Sequence, residues 1–516
     1  MKKIFFVITT LVSVNQLIAQ EPADALRYSW YTPSGTARQQ AIGGAMTSLG
    51  GDLSATFVNP AGLAFYKTGD IVITPGYRFH NNKSTYFGRT ENDKRGSLTM
   101  GMSGIVLGGG ENRNNKKSNS AFAVAINRTA SFGSNLLYRG LNKQSSYSQK
   151  FLEELQNDNV TSDAAAFDYP FGTSLAINTY WIDTAVGWNA GNKTFRSLAS
   201  PLLQTGGLIQ EKQSINRGGI TELALAFAGT KNDKLFYGVT IGIPFLNYDR
   251  ESTFTEADAT GDVNNQFDYA SITGNLTTKG TGFNLKLGMI YKPVEQVRLG
   301  LAIHTPTFYS LTDVYNASVT TNTENFQGLM MQNSRDLTDG SDAEFSYWLF
   351  TPYKVSASAS YVLREIQDVR KQKGFITADI EYVNYKASSY KTDPETNGYQ
   401  EGREYFKTLN TAIDNAYKGT FNVKVGGELK FTTIMARLGA AYYGNPYKNI
   451  AGEKGSRFSL SGGLGYRHKG MFIDVAYVHT MGKDVDFAYR LQSSPFTGAN
   501  IRTTAGTAVL TVGFKI

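Results

Sequence analysis

The chain has 516 residues, a formal net charge of +8, no cysteine, and 53 glycines beside 30 tyrosines and 31 phenylalanines against only 13 prolines. Without cysteine there is neither a disulfide framework nor a thiolate metal site. Without a block of five or six basic residues there is no nucleic-acid footprint either.

At the start, Lys2 and Lys3 precede an apolar run from Ile4 to Val14. This pattern predicts a secretory signal peptide over residues 1–19, because the run is only about half of the roughly 20 residues that a membrane-spanning helix needs. The mature chain then begins at or near Gln20. No later apolar run is long enough for a transmembrane helix. The positive charge is spread along the chain, as expected of a surface that faces anionic lipid and lipopolysaccharide head groups.

Residues 20–69 are compact and rich in turns. Gly43, Gly44, Gly50, Gly51, Gly62, Ala45 and Ala61 permit close backbone approach and sharp turns. Asn59 before Pro60 favours an extended residue followed by a turn. Asp52 is available to accept hydrogen bonds from a helix start or from a wall lysine.

From Asp70 onward the dominant signal is alternation with a period of two. In LFYGVTIGIPF, Leu235, Tyr237, Val239, Ile241, Ile243 and Phe245 share one face, opposite Phe236, Gly238, Thr240, Gly242 and Pro244. FNLKLGMIY sets Phe283, Leu285, Leu287, Met289 and Tyr291 against Asn284, Lys286 and Gly288. FNVKVGGELKF sets Phe421, Val423, Val425, Leu429 and Phe431 against Asn422, Lys424, Glu428 and Lys430.

About fourteen such runs begin near Asp70, Ser97, Asn119, Gly218, Lys234, Phe267, Val297, Tyr347, Gly374, Lys418, Ile434, Arg457, Met471 and Thr503. Their connections alternate between short ones, such as TKNDK, KPVEQ, FTT and RHKG, and long ones over 81–96, 132–217, 251–266, 319–346, 391–417, 445–456 and 483–502. Strict alternation puts both termini on the short-turn side, the topology of an outer-membrane barrel with an even strand number. The chain ends in TAVLTVGFKI, a last strand suited to closing the ring against the first. The expected fold is therefore an all-β transmembrane antiparallel barrel over residues 70–516.

Two long connections carry helical stripes, so 132–217 and 391–417 are expected to be partly helical. One stripe is Tyr147, Phe151 and Leu155; the other is Phe406, Leu409, Ile413, Ala416 and Tyr417. They either cap the mouth or present a surface groove built on Phe151, Leu155, Phe406, Leu409 and Ile413. A barrel of about fourteen strands is too wide for its own side chains to fill, since about eight already give a filled interior. Residues 20–69 are the segment large enough to act as a hatch inside it, with Phe57, Leu63, Phe65 and Tyr66 near any ligand path.

The stretch GTARQQAIGGAMTSLGGDLSATFVNPAGLAFY, residues 35–66, resembles the N-terminal signature of the outer membrane protein transport family, the FadL/TodX-type transporters of hydrophobic compounds. Asn59, Pro60 and Ala61, followed by Gly62, match its hatch motif, and Gly43, Gly44, Asp52 and Ala55 match the setting. The resemblance implies a fourteen-strand barrel with a hatch, and passive passage of a hydrophobic molecule without energy source or cofactor. It also implies sideways exit through a wall gap where the third strand kinks. In NSAFAVAINRTASFG the alternation of Phe122, Val124 and Ile126 is interrupted at Asn127, Arg128 and Thr129, the candidate kink. The long connection after that strand departs from the family pattern, which leaves long-chain fatty acid as the default within hydrophobic small molecules.

The four histidines, His80, His304, His468 and His479, stand in no catalytic motif, and no G-x-S-x-G, H-E-x-x-H or phosphate loop is present. No enzyme, cofactor or metal is expected. Asp336, Asp339 and Asp342 lack the ligand spacing of a calcium hand and read as a solvated turn. The expected protein is a monomer in the outer membrane of a Gram-negative bacterium. Its alternative role is a barrel scaffold in protein secretion or surface assembly.

Overall fold

The computed structural model describes residues 22–30, 32–109, 118–189, 193–363, 373–394, 399–448 and 455–516, with 399–401 as backbone only. The signal-peptide expectation for 1–19 lies outside the described residues.

The alternating runs form fourteen staves of one closed antiparallel barrel. They are β1 (Asp70–Ile73 and Pro75–Tyr86), β2 (Arg89–Met100 and Ser103–Gly108), β3 (Asn119–Ser131 and Ser134–Asn142), β4 (Leu208–Lys231) and β5 (Leu235–Asp258). Next come β6 (Tyr269–Val294), β7 (Val297–His304 and Phe308–Asn322), β8 (Ala343–Phe350 and Lys354–Leu363), β9 (Gly374–Asn384 and Ser389–Thr392) and β10 (Gly419–Phe431). The last are β11 (Ile434–Tyr443), β12 (Arg457–His468), β13 (Met471–Asp486) and β14 (Ala499–Lys515). The ring closes where β14 pairs with β1, from Asp70↔Lys515 to Thr85↔Asn500.

The pleat sorts the two faces by polarity. Outward residues are apolar and exposed, as at Tyr237 (54%), Leu287 (49%) and Phe421 (59%). Their inward neighbours Thr240, Lys286 and Asn422 are buried. This is the polarity of a wall in lipid, where a closed sheet pairs its backbone groups strand to strand.

Strands run further than the alternation suggests. The connection expected over 81–96 is a turn at Phe87 and Gly88, because β1 and β2 pair from Pro75↔Met100 to Tyr86↔Arg89. Likewise β4 and β5 are 24 residues each and pair to Asp258↔Leu208. Past the lipid-facing band the outer face is polar, so periodicity fades while the ladder continues.

Three short elements precede the wall: α1 (Pro22–Ser29), α2 (Ala37–Ala41) and α3 (Ala55–Val58), followed by a 3-10 turn at Pro60–Phe65. Above the wall lie α4 (Ser148–Asp158), α5 (Ser162–Phe167), α6 (Thr173–Asn178) and α7 (Leu202–Thr205), and α8 (Tyr399–Ala416) follows β9.

The surface groove expected of Phe151, Leu155, Phe406, Leu409 and Ile413 is not formed. All five are buried, and they belong to two separate clusters. Phe151 and Leu155 pack with Trp181, Phe254 and Tyr489 in a cap. Phe406, Leu409 and Ile413 pack with Tyr347, Tyr390 and residues Leu26 and Tyr28 of α1. An apolar stripe marks a face that must be covered, and here the upper barrel and its own helices cover it.

The cap is pinned at Glu256, fully buried near the tip of β5. Its carboxylate accepts from Trp181 Nε1 (2.9 Å), Tyr147 N (3.0 Å), Gln210 Nε2 (3.0 Å) and Ser146 Oγ. Glu256→Ala strands these donors and is expected to destabilise the cap by about 3 kcal/mol. Limited proteolysis should then cut within 143–207 while the barrel stays protected; unchanged protection would contradict the role of Glu256.

Candidate functional site

The segment before β1 is bonded to the inner wall on several sides. Ala37 N donates to Thr511 Oγ1 (2.8 Å), Gly43 N to Ser461 Oγ (3.0 Å) and Thr47 N to Asp379 Oδ2 (2.9 Å). Thr240 Oγ1 donates to Thr56 O (2.9 Å), and His304 Nε2 to Val58 O (2.9 Å).

Asn59 joins the segment both to itself and to two staves. It is fully buried, and its Nδ2 donates to Thr47 O (2.6 Å) and reaches Met289 O (3.2 Å) on β6 and Leu301 O (3.3 Å) on β7. Its Oδ1 accepts from Ala61 N (3.1 Å) and caps the turn that Pro60 opens. Opposite stands Gly288, where a Cβ would lie 1.9 Å from Asn59 Oδ1, so only glycine fits. Asp52 accepts from Thr36 Oγ1 (2.9 Å) and from Ser54 N (2.9 Å) at the start of α3. Gly62 O accepts from Gly51 N (3.2 Å), closing the motif on itself.

A second tie is ionic. Arg437 on β11, fully buried at its side chain, joins Glu428 on β10 (2.6 Å) to Asp474 on β13 (2.6 Å). Arg38 of α2 reaches the same Glu428 at 3.2 Å.

Above these ties lies a lumenal cavity of about 110 Å³. Its wall carries Glu222 paired with Lys286, and Glu381 shared by Lys424 (3.3 Å) and Lys354 (3.8 Å). Phe57 lines it beneath the Lys286 ammonium, which sits 5.5 Å from the ring centre. The other positions expected on a ligand path lie elsewhere. Phe65 stacks on Phe236 of β5 at 4.1 Å, while Leu63 and Tyr66 pack with Val106 and Ala123 against β2 and β3.

The same cavity is lined by Asn127 and Thr129. Between β3 and β4 the register slips at Arg128/Ala130, which makes Thr129 the extra residue of a β-bulge. On its other side β3 pairs with β2 only over Ser103↔Ile126 to Gly108↔Ala121. Further up, no backbone ladder joins β2 to β3 among the described residues.

The N-terminal segment covers this break from inside. Thr32 N donates to Thr129 O (3.5 Å), Met102 N to Gly35 O (3.5 Å), and Asn127 Nδ2 to Ser34 Oγ (3.3 Å). A cavity of about 20 Å³ runs from Thr32–Ser34 to Gly101, Arg128 and Ser131 at the break. Sequence reasoning missed the lumenal ion pairs, since nothing in a period-two pattern says which inward charges meet.

These features define a class: a closed fourteen-strand antiparallel transmembrane barrel with its N-terminal segment bonded to the inner wall. No family model and no curated protein matches the chain in sequence. Solved structures match it in fold. A Pseudomonas aeruginosa FadL homologue aligns over 94% of this chain and 99% of its own with 13% identity and a TM-score of 0.54. A variant of the TodX monoaromatic hydrocarbon channel aligns over 95% and 99% with 10% identity and a TM-score of 0.52. The CymD monoaromatic hydrocarbon channel aligns over 94% and 99% with 10% identity and a TM-score of 0.50. The chain thus has the fold of FadL-type channels.

Proposed function

We propose that the protein is a passive transporter of hydrophobic small molecules in the outer membrane of a Gram-negative bacterium. The observation that carries this reading is the unpaired stretch of wall between β2 and β3, next to the lumenal cavity and sealed by residues 32–35. A scaffold has no use for such a break, whereas a carrier of apolar molecules needs an exit into lipid. The fold neighbours described as hydrocarbon channels support the same class.

In this account residues 20–69 are the hatch, Asn59, Pro60, Ala61, Gly62 and Asp52 hold its turn, and Asn127, Arg128 and Thr129 shape the opening. Phe57 is the hatch side chain that meets the ligand. Around the cavity Lys286, Lys354 and Lys424 face two carboxylates, Glu222 and Glu381, and the one excess positive charge matches a ligand with a carboxylate head, so a long-chain fatty acid is the first substrate to try.

The test is uptake of labelled long-chain fatty acid, and separately of toluene, by cells that lack their own carrier. Saturable uptake of either above empty cells is the expected result. Uptake of neither would overturn the transport reading and return the scaffold role.

A further inference from the structure

The outer face of the barrel carries a row of cations across four adjacent staves. Lys483 on β13 stands directly opposite Arg502 on β14, and Arg502 directly opposite Lys83 on β1. Lys94 on β2 pairs with Asn81, one outward position below Lys83. All four are exposed, and the described ion pairs include none of them.

Like charges facing each other across a ladder destabilise it. Neighbouring acids do not relieve the row, because the pleat turns them to the other face. Glu91 and Asp93 alternate with Asn92 and Lys94; Glu91 pairs with Arg89 (2.6 Å), and Asp93 accepts from Asn135 (3.4 Å). Asp486 alternates with Lys483 and Val485 and holds Lys212 (2.7 Å). An external anion is what the row lacks.

Its height on the barrel says which anion. Below the row, past Asn81, Thr504 and His479, the outward residues are apolar: Tyr77 and Phe79 on β1, Leu98 and Met100 on β2, Val475 and Tyr477 on β13, Leu510 on β14. Tyr77 and Phe79 pack edge to face with centroids 4.8 Å apart. Such a band ends at the hydrocarbon boundary, and cations beyond it, past a short polar step, lie at head-group level. The row sits at the rim away from Asp70 and Lys515, where the wall begins and ends. With adjacent strands about 4.8 Å apart, it spans about 15 Å, enough for more than one phosphate.

We infer that this face binds a phosphorylated glycolipid of the outer leaflet, of the lipid A type, with acyl chains on the apolar band and phosphates on Lys83, Lys94, Lys483 and Arg502. The inference rests on the outer-membrane reading above but not on what the barrel transports.

The test uses the purified full chain in mixed micelles, with binding read by native mass spectrometry against lipid A, dephosphorylated lipid A and inorganic phosphate. The Lys83→Gln/Lys94→Gln/Lys483→Gln/Arg502→Gln variant is compared after its heat-modifiable mobility shows a folded barrel. The intact protein is expected to hold lipid A tenfold or more above the dephosphorylated lipid, without competition from millimolar phosphate. The variant is expected to lose on the order of a hundredfold, since each cation near a charged membrane surface contributes severalfold. Less than tenfold loss in the variant, equal retention of the dephosphorylated lipid, or full competition by phosphate overturns the inference. Because binding is read without uptake, a failed transport assay leaves the result intact. Should the single fourfold variant not fold, Lys83→Gln/Arg502→Gln, which removes the directly opposed pair, is read against the same tenfold limit.

Discussion

Replacing Arg437 by alanine is expected to destabilise the barrel by about 3–5 kcal/mol, because it leaves Glu428 and Asp474 as buried carboxylates without their shared partner. The three residues reach across β10, β11 and β13, and Gly465 on the intervening β12 leaves room for them. A Cβ there would lie 2.2 Å from Asp474 Oδ1 and 2.8 Å from Arg437 Nη1. Arg38 keeps its own contacts to Glu428 (3.2 Å) and to Gly51 O (3.2 Å), so the loss falls on the wall. Urea unfolding in lipid vesicles measures the loss. An unchanged midpoint would show that the network is solvated and carries no stability.

Asn59→Ala is expected to turn a quiet barrel into a leaky one. The substitution removes the Nδ2 contacts to Thr47, Met289 and Leu301 and uncaps Ala61 N, all in a fully buried place. Leaving such groups unpaired costs about 1–3 kcal/mol each. That cost falls on the closed position of the hatch and not on the wall, whose ladder between β6 and β7 is complete from Met289↔Leu301 to Lys286↔His304. Planar-bilayer recordings should therefore show frequent conductance steps in the variant and few in the parent, with equal thermal stability of the barrel. Equal conductance would mean that Asn59 does not hold the hatch shut.

Much of this architecture can be read in the amino-acid order. Each of the fourteen runs marks a stave because lipid on one side and a polar lumen on the other impose strict alternation on residues such as Phe421 to Phe431. Asn59 before Pro60 signals the turn it caps. What the order hides is long-range. The stripe of α8 shows that Phe406 and Ile413 must be covered, but not that Tyr347, Tyr390 and the N-terminal Tyr28 cover them. Placement of α1 among upper-lumen aromatics has no local signature in PADALRYS, which is short and half polar. Nor does Glu256 differ in sequence from a solvated strand acid; only the fold brings Trp181 and Gln210 to it. The interruption at Asn127, Arg128 and Thr129 is visible as a break in alternation, yet the missing ladder beside it depends on what β2 does 25 residues earlier.

The claim at the centre of this account is that a hydrophobic molecule leaves the lumen sideways between β2 and β3. Ser131→Trp tests it most directly, since Ser131 borders the narrow passage from Thr32–Ser34 to that break and its side chain takes part in none of the hatch contacts described above. Uptake of the labelled compound should fall by about tenfold or more at equal surface levels, as expected when a side chain of this bulk occupies a passage built for small ones. Uptake equal to that of the parent would contradict lateral exit and point to a route straight through the barrel.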